Sequence, residues 1–205
     1  MSSPIYWNQA KDFLVQRDKV MARLIETYPE SLVRIGDSFH TLARAIIGQQ
    51  ISIKAADSVW ARLQCQVGKV TPQRIMEHSE ASLRKAGLSW SKAGYLRNVA
   101  GFFLERDISD AYWQNRDFAE VREELLKIKG VGVWTVEMFA IFHLHEPDIF
   151  SARDIGLQKS AARLYFETDR IGKDVLEDFS LRWRPYRTVA AWYLWRYLDP
   201  DPVCY

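Results

Sequence analysis

Apolar residues at helical spacing are the feature that most constrains the fold of this chain. Phe39, Leu42, Ala43, Ile46 and Ile47 follow the pattern of a half-buried helix. Similar patterns, several with capping residues at their starts, predict further helices over 52–67, from Thr71-Pro72 onward, and over Glu80–Ala86, Ser91–Glu105, Phe118–Ile128, Trp134–His143, Ile155–Tyr165, Val175–Leu181 and Thr188–Leu198. The chain has no run of alternating strands, no repeat and no low-complexity segment. We therefore expect an all-α fold.

The composition excludes several classes of protein. The 205 residues are 48% hydrophobic and 26% charged, as in ordinary soluble proteins. The net charge of +2 is small, so any affinity for DNA must come from local clusters of charge. No stretch approaches the roughly 20 apolar residues of a membrane span, and charges interrupt the N-terminal segment where a signal peptide is apolar. We expect an intracellular protein, in the cytoplasm or nucleoid, or in the nucleus of a eukaryote.

Cysteine and histidine give no metal pattern. Cys65 and Cys204 are too few for an iron–sulfur cluster held by four thiolates, and they do not have zinc-site spacing. The histidines also lack the spacing of metal ligands, apart from the weak pair His143 and His145, which we assign to a loop. We expect no catalytic metal. Because the chain also has no Ser-His-Asp arrangement, no phosphate-binding P-loop and no dinucleotide fingerprint, a catalytic role falls on a carboxylate by elimination.

The segment Leu125–Asp154 carries the clearest candidate for chemistry. It contains a helix end, a Gly-Val-Gly turn, a second apolar helix and a lone carboxylate that opens the next helix. Gly130 and Gly132 would allow left-handed backbone in the turn. The amides that open the helix near Trp134 would then favour an anion such as a phosphate. The alternative is that the turn only connects two packed helices.

Asp154 also has two interpretations. Ser151 and Asp154 fit the capping box at a helix start, a structural role that needs no catalysis. A lone carboxylate after a phosphate-binding turn can instead serve as a catalytic group. The spacing alone favours capping.

Two further segments are notable for polar and aromatic side chains. Gln49 and Gln50 lie at a corner between two helices, where they are either solvated or able to fill a gap in a base stack. Near the C-terminus, a basic segment, Arg182–Arg187, leads into a helix with Trp192 and Trp195 on neighbouring positions of one face. Such tryptophans either fill a core or stack on a base, especially a cationic one.

Taken in order, these segments resemble one family. The sequences IIGQQIS, Lys92–Arg97, IKGVGVWTVEMF, the aspartate at 154 and RWRPYRTVAAWYLW are similar to those of DNA-3-methyladenine (alkylpurine) glycosylases of the helix-hairpin-helix–GPD superfamily. The resemblance runs from about Phe39 to Leu198. It implies a single domain over 1–205 that forms a two-lobed helical bundle, with one lobe at 38–150 and the other at 1–37 packed with 151–205. The active site would lie in a cleft between the lobes.

The resemblance implies a role for each candidate residue. Asp154 would be the catalytic aspartate, and Gln50 the wedge inserted into the duplex. The hairpin residues would hold the DNA backbone: Lys129, Gly130, Val131, Gly132 and Thr135. The base pocket would be lined by Trp134, Trp195, Met138 and Ile155, although relatives commonly carry aromatic residues at the last two positions. No cofactor is expected, apart from a monovalent cation shared by the hairpin carbonyls, and Lys92 and Tyr95 receive no role.

The resemblance also implies the reaction. The chain would be a monomer that binds double-stranded DNA containing alkylated bases, flips out an alkylated purine of the 3-methyladenine type and hydrolyses its N-glycosidic bond. Superfamily members that also cut the strand carry a nucleophilic lysine just after the hairpin, and this chain has Trp134 there. We therefore expect base release without strand cleavage. The alternatives are a non-enzymatic helix-hairpin-helix DNA-binding protein and a glycosylase for oxidised or mismatched bases.

Overall fold

The computed structural model describes residues 3–199, and this part of the chain contains helices and no strand. The prediction of an all-α fold is confirmed. The α-helices are α1 (Trp7–Arg17), α2 (Lys19–Thr27), α3 (Ser38–Gly48), α4 (Ile53–Val67), α5 (Pro72–Glu77), α6 (Glu80–Leu83), α7 (Trp90–Glu105), α8 (Phe118–Leu126), α9 (Val133–Phe139), α10 (Ile155–Tyr165), α11 (Lys173–Ser180) and α12 (Arg187–Leu198). Within the described residues, no helix combines the length and apolar character that crossing a membrane requires. Cys65 is exposed and free, and Cys204 lies outside the described residues.

Internal contacts divide the described chain into two compact units. The first unit comprises residues 3–34 and 145–199, and the second comprises residues 35–144. Each has its own apolar core, as described below.

Helix α12 lies at the centre of the first unit. Nine of its residues, from Thr188 to Arg196, are buried, because α1, α2 and α10 all pack against it. Trp192 is 1% exposed and meets the edge of the Trp7 ring at 5.4 Å between centroids. Of the two functions that the sequence allows for Trp192, filling a core or stacking on a base, the structure shows the first.

A buried carboxylate organises the same unit. Asp18 is the N-cap of α2 and accepts hydrogen bonds from the backbone N–H groups of Val20 and Met21. Its second oxygen accepts from the hydroxyl of Tyr165 and the indole N–H of Trp183, both at 2.9 Å. A buried carboxylate is tolerated where such donors satisfy it, and this one joins the α1–α2 junction to α10 and to the turn at 181–183.

Helix α3 lies at the centre of the second unit. Eight of its eleven residues are buried, and it packs against α4, α7 and α9. A helix covered on several sides needs apolar residues beyond a single stripe, and the run from Phe39 to Ile47 supplies them.

Several predicted boundaries differ from those in the structure. Helix α10 has the predicted bounds, but α9 ends at Phe139 and continues to Leu144 as a π-helical turn. The prediction of one helix over Trp134–His143 was wrong in this respect, because periodicity does not distinguish the two helix types.

Candidate active site and nucleic-acid interface

Asp154 is the N-cap of α10, and hydrogen bonds to Oδ1 hold its side chain. Oδ1 accepts a hydrogen bond from the backbone N–H of Leu157 at 3.0 Å and another from Nε1 of Trp195 at 3.0 Å. The residue is partly buried, with extended backbone (φ −69°, ψ 123°), and helical geometry starts at Ile155. A carboxylate at this place is stabilised by the positive end of the helix dipole. The side chain is therefore fixed in one orientation and is suited to carrying a negative charge.

The structure corrects the predicted capping box. Asp154 is itself the N-cap of α10, whereas the box places Ser151 at that position. Because the ψ angle of Asp154 is extended, the helix begins three residues later than the capping box predicts. Capping by Asp154 is confirmed, through the hydrogen bond that its Oδ1 accepts from the backbone N–H of Leu157.

Gly156 is a residue of this site that the sequence analysis missed. A Cβ atom at this position would lie 2.9 Å from Oδ1 of Asp154 and 3.3 Å from Cδ1 of Trp195. Real Cβ contacts are essentially never closer than 3.0 Å. Glycine therefore lets the indole approach the carboxylate, and the only sequence signal was a glycine in the first turn of a predicted helix.

The predicted pocket residues differ widely in exposure. In the first unit, Trp195 is 7% exposed and its N–H is on Asp154, while the next residue after Asp154, Ile155, is 53% exposed. In the second unit, Trp134 is partly buried and Met138 is only 1% exposed. Met138 lies on the inner face of α9 and offers almost no surface to a base in this conformation.

The hairpin of the second unit is a tight turn between α8 and α9. The N–H of Val131 donates to the carbonyl of Ile128 at 3.0 Å, and Gly130 has φ +102°. A Cβ on Gly130 would lie 2.1 Å from the ring of Tyr95, so both the backbone and the packing require glycine. Tyr95 thus acquires a role as the side chain that packs against the hairpin.

Gly132 does not have the backbone that the sequence analysis assigned to it. Its φ is −101°, an ordinary extended value, and nothing lies near its missing Cβ. It is the exposed N-cap of α9, and without a side chain it supplies no acceptor for the first amides of that helix. A helix start without a side-chain cap can bind an external acceptor such as a phosphate oxygen.

The two glutamines at the end of α3 behave differently. Gln50 is exposed and has φ +59°, so its backbone is in the left-handed region. Gln49 turns inward, and its Nε2 donates to the carbonyl of Gly130 at 3.0 Å and to the hydroxyl of Thr135 at 2.9 Å. Thr135 is 1% exposed, so its hydroxyl serves this internal link rather than an accessible surface. Gln49 therefore links the hairpin to the corner from which Gln50 projects.

Helix α7 supports both of these segments. Nζ of Lys92 donates to the carbonyl of Ile47 at 2.8 Å, and the amide of Asn98 donates to the carbonyl of Lys129 at 3.0 Å. Burial lowers the pKa of the Lys92 ammonium group. Lys92, Tyr95 and Asn98 are three residues apart, so they lie along one face of the helix. Their spacing was visible in the sequence, but their partners were not.

The basic segment before α12 serves the interior of the first unit. Arg187 donates from Nε to Oδ1 of Asp148 at 2.7 Å, and Arg184 donates to Oδ2 at 2.9 Å. Burial alone would raise the pKa of Asp148, but the two guanidinium groups outweigh it and hold the pKa below its ordinary value. The Trp183 ring is buried beside Phe150. Arg184 and Arg187 therefore anchor the loop that carries Asp148, and Trp183 offers almost no surface for stacking.

The hairpin carbonyls can be tested against the expected monovalent cation. Those of Ile128, Lys129 and Gly130 each already accept one hydrogen bond, from Val131, Asn98 and Gln49. A carbonyl oxygen has a second lone pair, so each of these groups keeps one acceptor site beside its present hydrogen bond. Among residues 3–199, no group of three or more His, Cys, Asp or Glu side chains could hold a metal ion.

Several known proteins are similar to this chain in sequence. The family model for "HhH-GPD superfamily base excision DNA repair protein" matches residues 43–185. The alkylbase DNA glycosidase-like protein mag2 of Schizosaccharomyces pombe is 34% identical over 163 residues, which cover 77% of this chain and 76% of that protein. The putative DNA-3-methyladenine glycosylase YfjP of Bacillus subtilis is 29% identical over 169 residues, which cover 78% of this chain and 59% of that protein.

A solved structure extends the similarity to three dimensions. The structure of the Schizosaccharomyces pombe 3-methyladenine DNA glycosylase Mag1 in complex with abasic DNA has a TM-score of 0.83 and 28% identity to this chain. The match covers 92% of this chain and 95% of that chain. With a family match over more than half of its length, the chain belongs to the HhH-GPD superfamily of base excision DNA repair proteins.

Proposed function

We propose that this chain is a DNA-3-methyladenine glycosylase that hydrolyses the N-glycosidic bond of alkylated purines in double-stranded DNA. The observation that carries the proposal is the Asp154 carboxylate, held at the start of α10 by Leu157 and Trp195. Family membership and the similarity to DNA-3-methyladenine glycosylases support the same activity. The enzyme acts in the compartment that holds the DNA, the nucleoid or the nucleus.

The chemistry suits a single carboxylate. A purine alkylated at N3 or N7 is cationic, so it leaves without strong general-acid help. Its departure gives the deoxyribose oxocarbenium character, as in glycoside hydrolysis. Asp154 stabilises that positive charge and orients or deprotonates the water that attacks the sugar. The two N–H donors on Oδ1 keep the carboxylate from rotating away during this step.

The second unit supplies the DNA contacts in this proposal. The start of α9, which follows Gly130, Val131 and exposed Gly132, holds a backbone phosphate at the positive end of the helix dipole, and exposed Lys129 adds a charge. Gln50 enters the space that the flipped nucleotide leaves. Its left-handed backbone and its exposure support that role, because the side chain projects from a corner that Gln49 holds in place.

In this proposal the base contacts come from Trp134 and Ile155, the two predicted pocket residues that are not buried. Trp134 stacks on the cationic base, an interaction of about 0.5–2 kcal/mol per ring. Ile155 adds apolar contact beside Asp154, and Trp195 contributes mainly by holding the carboxylate. Thr135 supports the hairpin from inside through its hydrogen bond with Gln49, and the predicted pocket residue Met138 is buried.

The position of Trp134 makes the enzyme monofunctional. Strand cleavage by superfamily lyases needs an amine that forms a Schiff base with the sugar, and an indole cannot do so. A monovalent cation on the hairpin carbonyls would add positive potential near the phosphate, and no step above depends on it. The monomeric state stays a prediction from the resemblance.

The activity is tested with the unmodified protein. Methylated duplex DNA is incubated with it, released bases are separated by chromatography, and the strands are examined before and after alkali. The proposal predicts free 3-methyladenine and strands that break only after alkali. Strand breaks before alkali, together with trapping of the protein on DNA by borohydride, would contradict the monofunctional assignment.

One observation favours a second candidate function. Because Asp154 is the N-cap of α10, its carboxylate has a complete structural role without catalysis. A non-enzymatic DNA-binding protein would then bind the abasic duplex and release no base from any methylated substrate. The same chromatographic assay distinguishes the two functions.

A further inference from the structure

The first unit contains a basic cleft beside Asp154. The proposed function gives this cleft no role. It has a volume of about 580 Å³ and is lined by Arg153, Gln158, Arg170, Ile171, Gly172 and Lys173. All three of its charged lining residues are cations, and all three are exposed. The cleft therefore offers a positive surface that a ligand can reach directly.

The two arginines of the cleft are not neutralised. Within the described residues, neither Arg153 nor Arg170 forms an ion pair, and Lys173 has only its exposed neighbour Asp174, at 3.7 Å. Unpaired guanidinium groups have five N–H donors in a planar fork that matches a phosphate or carboxylate. The charge of the cleft is thus available to an anionic ligand.

A buried amide holds one of these arginines in place. Oε1 of Gln158, a residue that is 4% exposed, accepts a hydrogen bond from Nε of Arg170 at 3.0 Å. The same amide donates through Nε2 to the carbonyl of Ala152 at 2.8 Å. Arg170 is thereby oriented through its Nε, while its two terminal nitrogens have no partner among the described residues.

The cleft is close to Asp154 along both the chain and the helix. Arg153 directly precedes Asp154, and the N–H of Gln158 donates to the carbonyl of Asp154 at 3.0 Å. Gln158 is therefore one helical turn, about 5.4 Å, from the candidate catalytic residue. Helix α11 also begins here with Gly172 as its N-cap, so no side chain accepts from its first amides.

We propose that this cleft binds a backbone phosphate of the DNA strand whose damaged nucleotide faces Asp154. The proposal rests on the proposed function, since it takes that strand as the source of the phosphate. Arg153 and Lys173 supply the charge, and Arg170 supplies oriented donors. The contact adds to the hairpin phosphate contacts and belongs to a different unit.

The test removes two charges from the cleft without changing its buried floor. The double variant Arg153→Gln, Lys173→Gln is compared with Lys19→Gln, Arg23→Gln, which removes two exposed cations of α2 in the same unit. Both lower the net charge equally, so general electrostatic attraction changes by the same amount. Binding to a duplex with an abasic site is measured by fluorescence anisotropy over a series of NaCl concentrations.

The proposal predicts a change in the salt dependence of the cleft variant alone. Each phosphate contact contributes about 0.9 to the slope of log K against log salt, so the slope should fall in magnitude by about 1. The α2 variant should keep the slope of the unmodified protein. Equal slopes for the two variants would overturn the proposal.

Two further arms separate the sources of phosphate and the two hypotheses. If inorganic phosphate raises the Tm of the unmodified protein but not of the cleft variant, while the DNA slope is unchanged, the cleft binds free phosphate and the DNA contact is refuted. Base release is measured in parallel on methylated duplex. Release with unchanged slopes refutes the cleft alone, whereas a slope change without release from the unmodified protein refutes the proposed function alone.

Discussion

At the residue scale, the candidate active site depends on how closely Trp195 approaches Asp154. The indole N–H reaches Oδ1 at 3.0 Å only because position 156 carries no Cβ, which would lie 2.9 Å from that oxygen. In the proposed reaction, the position of the carboxylate relative to the sugar must be correct to within a fraction of an ångström. Gly156 is thus a positioning residue in that account, although it contacts no substrate.

The substitution Gly156→Ala tests this positioning. The new methyl group must displace the carboxylate or the indole, so we expect slower base release, by about 10-fold or more, in single-turnover assays on methylated duplex. The control is Gly101→Ala in α7, where nothing lies within 4 Å of the added atom. Replacing a helical glycine by alanine stabilises a protein by about 0.5–1 kcal/mol where the added atom meets nothing, so the control should keep full activity. Equal activities of the two variants would contradict the positioning role.

Sequence alone identified some site residues and not others, for identifiable reasons. Asp154 was found because its position after the hairpin is visible in the sequence. Gln49 and Gln50 are identical neighbours, and only the left-handed backbone of the second shows which side chain projects and which turns inward. The close contact at Gly156 depends on Trp195, which is 39 positions further along the chain. No local pattern records such a contact.

At the element scale, the corner after α3 and the hairpin form one hydrogen-bonded structure. Gln49 bridges the two, and α7 supports each of them through Lys92, Tyr95 and Asn98. The wedge and the phosphate-binding turn of the proposed function would therefore move together rather than as independent loops.

Replacing each glutamine in turn tests this coupling. Gln49→Ala leaves the Gly130 carbonyl and the Thr135 hydroxyl without their donor, so we expect a loss of about 1–3 kcal/mol in the free energy of unfolding. Gln50→Ala removes an exposed side chain, so it should change stability by less than about 0.5 kcal/mol and mainly lower base release. Denaturant unfolding and single-turnover assays measure the two effects. Equal stability losses for the two variants would argue against the bridge.

The loop anchored by Asp148 carries a prediction about pH. Arg187 and Arg184 hold the folded-state pKa of Asp148 below the unfolded value of about 3.9. A lowered folded pKa stabilises the fold at pH values above the unfolded pKa, and this stabilisation is lost as the pH falls through the folded pKa. The native protein should therefore lose stability below about pH 4, and Asp148→Asn should be less stable at neutral pH with a shallower loss in acid. Parallel pH profiles of Tm for the two proteins would contradict this prediction.

At the scale of the whole molecule, sequence patterns predicted the helical class and most helices from Phe39 onward. Bounds for α1 and α2 were not predicted, because Asp18 ends one helix and caps the next with no loop between them. Within each unit, the apolar residues that recur at helical spacing form the buried core. The cleft between two lobes stays a prediction from the family resemblance.

Across the molecule, several aspartates cap helices, and the proposal assigns chemistry to one of them. Asp117 caps α8 by accepting from the backbone N–H of Ala119, as Asp154 caps α10 by accepting from that of Leu157. Asparagine caps a helix about as well as aspartate does, so exchange of either residue removes a negative charge and keeps the cap. Asp154 also accepts from Trp195, so a difference in base release reports the chemical role of the carboxylate when binding to DNA is retained.

The most direct measurement is base release from methylated duplex DNA by Asp154→Asn and Asp117→Asn, alongside binding of each to an abasic duplex. Loss of transition-state charge stabilisation predicts a fall of about 10²–10³-fold or more in base release for Asp154→Asn, with binding retained. Asp117→Asn should match the unmodified protein in both assays. Full base release by Asp154→Asn would contradict the account, because the carboxylate would then serve only as a helix cap.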